Sequence, residues 1–345
     1  MTLVRFNPGD IVVKDEKVGV STWTNNQNNL SSLHSSSVQN ENTPTSSRAF
    51  FVEAYQIDPS GSQSEVQLAL SYGNKAGSGS QDFTNDVGSI GLSAARTVYG
   101  QYRQLVFGDE TQNFTFGRHT PDDIYVININ RSRYKQQLKL GTLNLTLSGA
   151  GTPDGISDIH LTDDSVTNPA GLGNSNLGPH FNIVSGANGI ASGSTANQIE
   201  GSASFGHIYP NAGLIILNPD AFNNAGALFP DRNPNGNSGA DDNIQKLFTS
   251  INGGGNFILD SEETISSQFY FVRARNTEFN YSNNPTFSDD EGNVAFDSMI
   301  NSPKTFITTV GLYNDANDLV AVAKISQPIA KDPTKEALIR VKLDY

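Results

Sequence analysis

Five histidines, His34, His119, His160, His180 and His207, carry the side chains most able to bind a metal or move a proton. No two are one helical turn apart with a glutamate between them, the spacing that lets two imidazoles meet one zinc. They therefore read as surface, turn or core residues. Gly73-Asn-Lys-Ala-Gly-Ser-Gly-Ser80 has the glycines of a phosphate-cradling loop but not the order Gly-x4-Gly-Lys-Ser/Thr, and reads as a flexible hairpin loop. Gly253-Gly254-Gly255 follows a possible helix and fits its C-terminal stop. The acidic cluster Asp289-Asp290-Glu291-Gly292-Asn293 lacks the spaced oxygen series of a calcium loop and reads as a solvated turn, and Asp315 with Asp318 is weaker still. Asp154 and Asp158 could be paired as glycosidase carboxylates, but any acidic chain offers such pairs. The chain has no cysteine, which removes thiolate nucleophiles, thiolate metal sites and disulfides. The expectation is an absence of catalytic residues, metal ligands and cofactor.

One stretch points to use as a contact surface. Aromatic and arginine residues interleave through Phe269-Tyr270-Phe271-Val272-Arg273-Ala274-Arg275 and on to Phe279-Asn280-Tyr281. These types are enriched at protein interfaces, because they bury much area with few rotamers and keep a polar tip. Phe269, Tyr270, Arg273, Arg275, Phe279 and Tyr281 are the candidate interface residues. The competing reading of Phe269 to Arg275 is a strand with one solvated face, and Phe279 to Pro285 reads as an aromatic-bearing loop.

The elements that must position this stretch are mostly strands. Ala49 to Ile57 and Glu65 to Tyr72 are rich in β-branched and aromatic residues and are separated by Asp58-Pro59-Ser60-Gly61, which predicts a hairpin. Strands are also expected at Asn113 to Phe116, Asp123 to Ile129, Thr142 to Leu147, Gln268 to Arg275, Thr305 to Tyr313, Leu319 to Ile325 and Ala337 to Tyr345. Asn314-Asp315-Ala316-Asn317-Asp318 supplies turn chemistry between two of them. Helices are expected at Ala94 to Phe107, from Pro219 onward and from Asp241 to Phe248, with a short basic helix within Arg131 to Leu140. Gly149 to Gly206 reads as elaborated loops. Thr22 to Ser47 is Asn-, Ser-, Thr- and Gln-rich with almost no apolar periodicity and reads as an arm, which Ile11-Val12-Val13 could anchor on a sheet edge.

The expected fold is thus mainly β, with β-sandwich-like lobes and a few short helices. The expected division is an extended N-terminal arm over 1–48, a β-rich lobe over 49–150, a loop-rich middle over 151–260 and a C-terminal β-rich lobe over 261–345. At 345 residues the chain is long enough for such a division and for a substantial core. Its 35 Asp and Glu outweigh 22 Lys and Arg, a balance that would repel a phosphate backbone, so nucleic acid is not an expected partner. No run reaches the ~18 apolar residues of a membrane span, and the N-terminus lacks a secretory pattern, so a soluble, unexported chain with no membrane partner is expected.

Four segments carry a family resemblance: Val98-Tyr-Gly-Gln-Tyr-Arg-Gln-Leu-Val-Phe-Gly108, Asp123-Ile-Tyr-Val-Ile-Asn-Ile-Asn-Arg-Ser-Arg-Tyr-Lys135, Tyr209-Pro-Asn-Ala-Gly-Leu-Ile-Ile-Leu-Asn-Pro219 and Thr308-Thr-Val-Gly-Leu-Tyr-Asn-Asp-Ala-Asn-Asp-Leu-Val-Ala-Val-Ala-Lys324. They resemble virion structural proteins of contractile-tailed, T-even-like cyanophages. The last also resembles the hairpin of tail-collar and tail-fibre proteins. The pattern spans about two thirds of the chain and leaves out Thr22 to Ser47. What the resemblance implies is a non-enzymatic, oligomeric component of a bacteriophage particle, assembled in the host cytoplasm and held in the virion by other virion proteins and copies of itself. Tail or baseplate is the implied place. The alternatives are a head-decoration or neck protein, or a host-glycan or receptor-binding module; a polysaccharide-degrading enzyme is a further rival. The resemblance transfers no catalytic residue.

Overall fold

A computed structural model describes residues 4–40, 49–79, 93–149, 158–192, 204–224, 241–282 and 284–345. The chain is mainly β, with 44% strand and 16% helix. It divides into two compact units: a larger one, Val18–Glu263, and a smaller one that joins Met1–Lys17 to Thr264–Tyr345.

In chain order the elements begin with β1 (Ile11–Ser21), β2 (His34–Asn40), β3 (Ala49–Tyr55), β4 (Val66–Asn74), α1 (Ala94–Phe107) and β5 (Asp123–Ile129). Next come β6 (Gln137–Leu138), β7 (Asn144–Ser148), β8 (Asp158–Asp163), β9 (Asn174–Ser175), β10 (Gly178–Pro179), β11 (Phe181–Ala187), β12 (Ile190–Ala191), β13 (Gly206–Tyr209) and β14 (Leu214–Leu217). The helices α2 (Pro219–Asn224) and α3 (Asp241–Gly254) precede β15 (Phe257–Ile258), β16 (Asp260–Ala274), β17 (Thr305–Tyr313), β18 (Leu319–Lys331) and β19 (Ala337–Asp344).

Most strands of the larger unit belong to one antiparallel sheet, ordered β15-β7-β8-β11-β13-β14-β5-β4-β3-β2, with β12 added beside β11. β5 lies inside this sheet, and its near-continuous apolar run follows from having protein on both faces. Its Ile124 and Val126 join Tyr99, Val106, Phe114, Phe116 and Tyr209 in one cluster, whereas Tyr125, Ile127 and Ile129 join the main core. That core also holds Val52 and Leu68 from one end of the sheet, Leu145 and Leu161 from the other, and Leu247 and Ile251 of α3. The sheet therefore curls until its two ends share one apolar interior. Close approach is built into the helix contacts. A Cβ on Gly73 would lie 2.9 Å from the backbone nitrogen of Tyr99 in α1, and one on Gly254 would lie 2.0 Å from the carbonyl oxygen of Thr146 in β7.

The hairpin of β3 with β4 and the helix over Ala94–Phe107 form where the pattern places them. Other expectations are corrected. The polar segment after Thr22 is no free arm in its described part: Trp23 is 2% exposed, its indole Nε1 donates to the carbonyl of Phe257 (2.7 Å), and β2 pairs with β3. The Leu30 amide donates to the carbonyl of Phe257 (3.0 Å), and the side chains of Asn29 and of Asn252 in α3 accept from the backbone amides of Phe257 (2.8 Å) and Leu33 (2.9 Å), so the polar segment is tied down by backbone and amide side chains together. The remainder, 41–48, lies outside the described residues. Residues 49–150 and 151–260 do not form separate lobes, because β8, β11, β13 and β14 enter the same sheet as β3, β4 and β5. Phe114 and Phe116 are buried without a strand, in a turn closed by pairing of Phe116 with His119. The basic segment forms only one 3-10 turn, Arg131–Arg133, because the side chain of Asn130 caps it at Ser132 and β6 follows.

In the smaller unit β1, β16 and β19 lie side by side in that order, and β17 with β18 forms a separate two-stranded ribbon. The 314–318 turn closes the ribbon with Asn317 left-handed at φ 63° and the Asn314 amide bonded to the Asp318 carbonyl (3.0 Å). The core here is thin. Val310, Leu312 and Val341 remain 6–8% exposed, backed by half-buried residues that include Phe6, Tyr270 and Val272.

Candidate interface site

The period-2 alternation of β16 sorts the predicted interface residues onto two faces. Tyr270 and Val272 point into the thin core, where the Tyr270 ring packs 5.5 Å from Phe6 and its hydroxyl donates to Gln268. Tyr270 is thereby used inside the unit. Phe269 lies on the other face. Its register partners on β19 are cationic, with Phe269 opposite Lys342 and Phe271 opposite Arg340. The guanidinium of Arg340 stands 5.6 Å from the centre of the Phe269 ring and the ammonium of Lys342 stands 5.9 Å away. Arg273 and Arg275 are exposed. The smaller unit carries eleven basic against thirteen acidic side chains, and the larger one eleven against twenty-two. This strand face is aromatic and locally basic, with Lys342 also ion-paired to Asp344 (2.9 Å), in a unit that is only slightly acidic overall.

The loop after β16 presents two more aromatics. Phe279 (46% exposed) has φ 54°, a left-handed conformation that costs a bulky residue on the order of 1–3 kcal/mol and persists only where the surroundings impose it. The surroundings here are specific. The ammonium of Lys331, a fully buried residue, donates to the carbonyl of Asn276 (3.1 Å), to Oδ1 of Asn280 (2.8 Å) and to the carbonyl of Asp332 (3.1 Å). Thr305 Oγ1 donates to the carbonyl of Phe279 itself (2.8 Å), and Glu278 accepts from the amide of Arg275 (3.1 Å). A buried cation with each ammonium proton directed at an oxygen holds the loop rigid, and an aromatic on a rigid loop loses little entropy on binding. Tyr281, also exposed, leans edge-on against Phe287 at 5.6 Å.

Residue-type reading missed a third component. Along β18, Ala321, Ala323 and Ile325 face the core, which turns Val320, Val322 and Lys324 outward, with Val320 68% and Val322 58% exposed. Phe306 on β17 and Leu338 on β19 are also more than half exposed. The signal was present as apolar residues on both faces of one ribbon, more than its own core requires.

The other constellations are occupied locally. The side chain of Asn74 accepts from the amides of Ala76 (2.9 Å), Gly77 (3.1 Å) and Ser78 (3.1 Å), so the described part of the glycine loop turns its donors onto its own residue. In the 289–293 turn, Asp289 accepts from the amides of Asn293 (2.7 Å) and Glu291 (3.1 Å), and the Asn293 bond, the largest influence, holds its pKa below the usual carboxylate range. Asp154 lies outside the described residues. His180 and His207 meet across β11 and β13 with ring centroids 5.2 Å apart, but their neighbours are Phe116 and Tyr209, and no group of three metal-ligating residues occurs among the described residues. No described helix is long and apolar enough to cross a membrane.

Comparison with family models, curated proteins and solved structures gives no match for this chain.

Proposed function

We propose that this protein is a non-enzymatic structural component of a tailed bacteriophage particle, at the tail or baseplate, that works by packing its smaller unit against other virion proteins and copies of itself. One observation carries the reading. Of the twenty large apolar residues that stand exposed among the described residues, fourteen lie in the smaller unit, although it is the shorter of the two. Covering these residues against a partner would add the buried area that the thin core lacks. The locked loop bearing Phe279 and Tyr281 and the basic strand face of Arg273, Arg340 and Lys342 supply the rigid aromatic and charged anchors that assembly interfaces use. The family resemblance of the four sequence segments chooses the kind of assembly.

Immunogold electron microscopy with antibody against the recombinant chain tests the assignment on intact and disrupted phage particles. Label at the tail tip supports it. Label over the head or neck moves the protein to a decoration or connector role, and absence of label even from disrupted particles removes the virion reading.

A further inference from the structure

The larger unit holds a groove of about 880 Å³, within the ~300–1,000 Å³ range of small-molecule sites, that the assembly reading does not use. Its floor is one face of the sheet. Leu68 and Leu70 of β4 point into the main core, so Ala69 and Ser71 point the other way, and the register sets Glu53 of β3 and Asn128 of β5 on either side of Ala69. Two small side chains in the middle of three strands leave a depression. One wall is α1, brought close by Gly73, which turns Thr97, Gln101 and Tyr102 toward the floor; the other is the turn carrying Arg131 and Tyr134. The Tyr102 hydroxyl is hydrogen-bonded with the side chains of Asn128 and Ser71, which ties the helix wall to the floor, and burial raises its pKa.

The chemistry of the lining selects a ligand class. Asn128 and Gln101 each present a donor and an acceptor, as do the hydroxyls of Ser71, Thr97 and Tyr102. Such groups match a ligand whose own groups do both. Among the described lining residues Arg131 is the one cation, and it is committed: its guanidinium donates to the carbonyls of Tyr134 and Lys135 and lies 4.6 Å over the Tyr134 ring. Glu53, which accepts from the Tyr55 hydroxyl (2.7 Å), adds an acceptor charge. That carboxylate repels an anionic ligand, whereas it can accept from the hydroxyls of a neutral polyol. Phe51 in the lining supplies an apolar face of the kind that packs on sugar C–H groups.

We infer that this groove binds a neutral saccharide, with Asn128, Gln101 and Tyr102 as its hydrogen-bonding residues. The inference does not depend on the virion assignment. Saturation-transfer NMR on the full chain, with cellobiose, maltose, lactose and N,N′-diacetylchitobiose as probes, tests it. Saturable transfer from at least one disaccharide is expected. Asn128→Ala should weaken it about tenfold, as loss of a hydrogen bond to a neutral group does. Gln101→Ala, at an exposed helix position that folding does not need, should weaken it severalfold while the melting temperature is unchanged. No saturable transfer from any probe overturns the inference. So does binding that both variants leave intact, or inorganic phosphate displacing the sugar at equal concentration.

Discussion

His207 makes the protein acid-sensitive in a way whose size can be worked out. It sits in β13 between its register partners Asn182 and Ile216, 8% exposed, with the rings of Phe116 and His180 at 4.8 and 5.2 Å. Burial, and then the charge of His180, lowers its pKa from 6.5 to about 3. The unfolded chain takes up this proton near pH 6.5 and the folded chain only near 3, so between those values the unfolded state holds more protons. The stability due to neutral His207 is therefore complete above pH 6.5, falls by about 1.4 kcal/mol per unit below it, and is lost by about pH 3, a total on the order of 5 kcal/mol. Burial shifts His180 in the same direction and adds to the trend. The perturbation is His207→Phe, which keeps an aromatic ring and removes the proton. Urea unfolding followed by the fluorescence of Trp23, the single tryptophan and a core residue of the same unit, reads the stability of wild type and variant at several pH values. Carboxylate titrations common to both proteins cancel in the difference. Relative to its value at pH 7, that difference should move in favour of the variant by roughly 3 kcal/mol at pH 4.5. A difference that stays constant with pH would refute the reasoning.

Four further outcomes are expected. Trp23→Ala removes a buried indole and its bond to Phe257, and should cost the larger unit about 3–5 kcal/mol in urea unfolding. Gly254→Ala places a methyl group 2.0 Å from the Thr146 carbonyl oxygen and should cost roughly 1–3 kcal/mol, seen as a lower melting temperature. Lys331→Met leaves three oxygens without their donor and should cost about 2–3 kcal/mol locally, with faster hydrogen exchange at the amides of Asn276 to Asn280; unchanged exchange there would show that Lys331 does not hold the loop. Val320→Asp with Val322→Asp changes only outward side chains of β18, so thermal stability should hold within about 0.5 kcal/mol while sedimentation shows loss of self-association or of particle incorporation.

The sequence by itself determined the local elements. Period-2 alternation and turn residues marked the β3–β4 hairpin, the 314–318 turn and the β17–β18 ribbon, because strand and turn preferences depend on neighbours a few residues away. The apolar spacing of Ala94–Phe107 marked α1 for the same reason. The tertiary structure alone decided which strands share a sheet. That choice took β8 and β11 from the Gly149 to Gly206 stretch into the large sheet beside β13 and β7, where close packing and long-range pairing outweigh weak local propensity. It also buried Trp23 from a polar segment against Phe257, 234 residues away, and put His180 beside His207. Within the candidate site, residue types marked Phe279 and Tyr281, but strand phase turned Tyr270 inward, and Lys331 became the buried clasp of the loop only because β18 ends beneath Asn276 and Asn280. Side-chain direction on a strand reverses with a register shift of one residue, and register is set by partners distant in the chain.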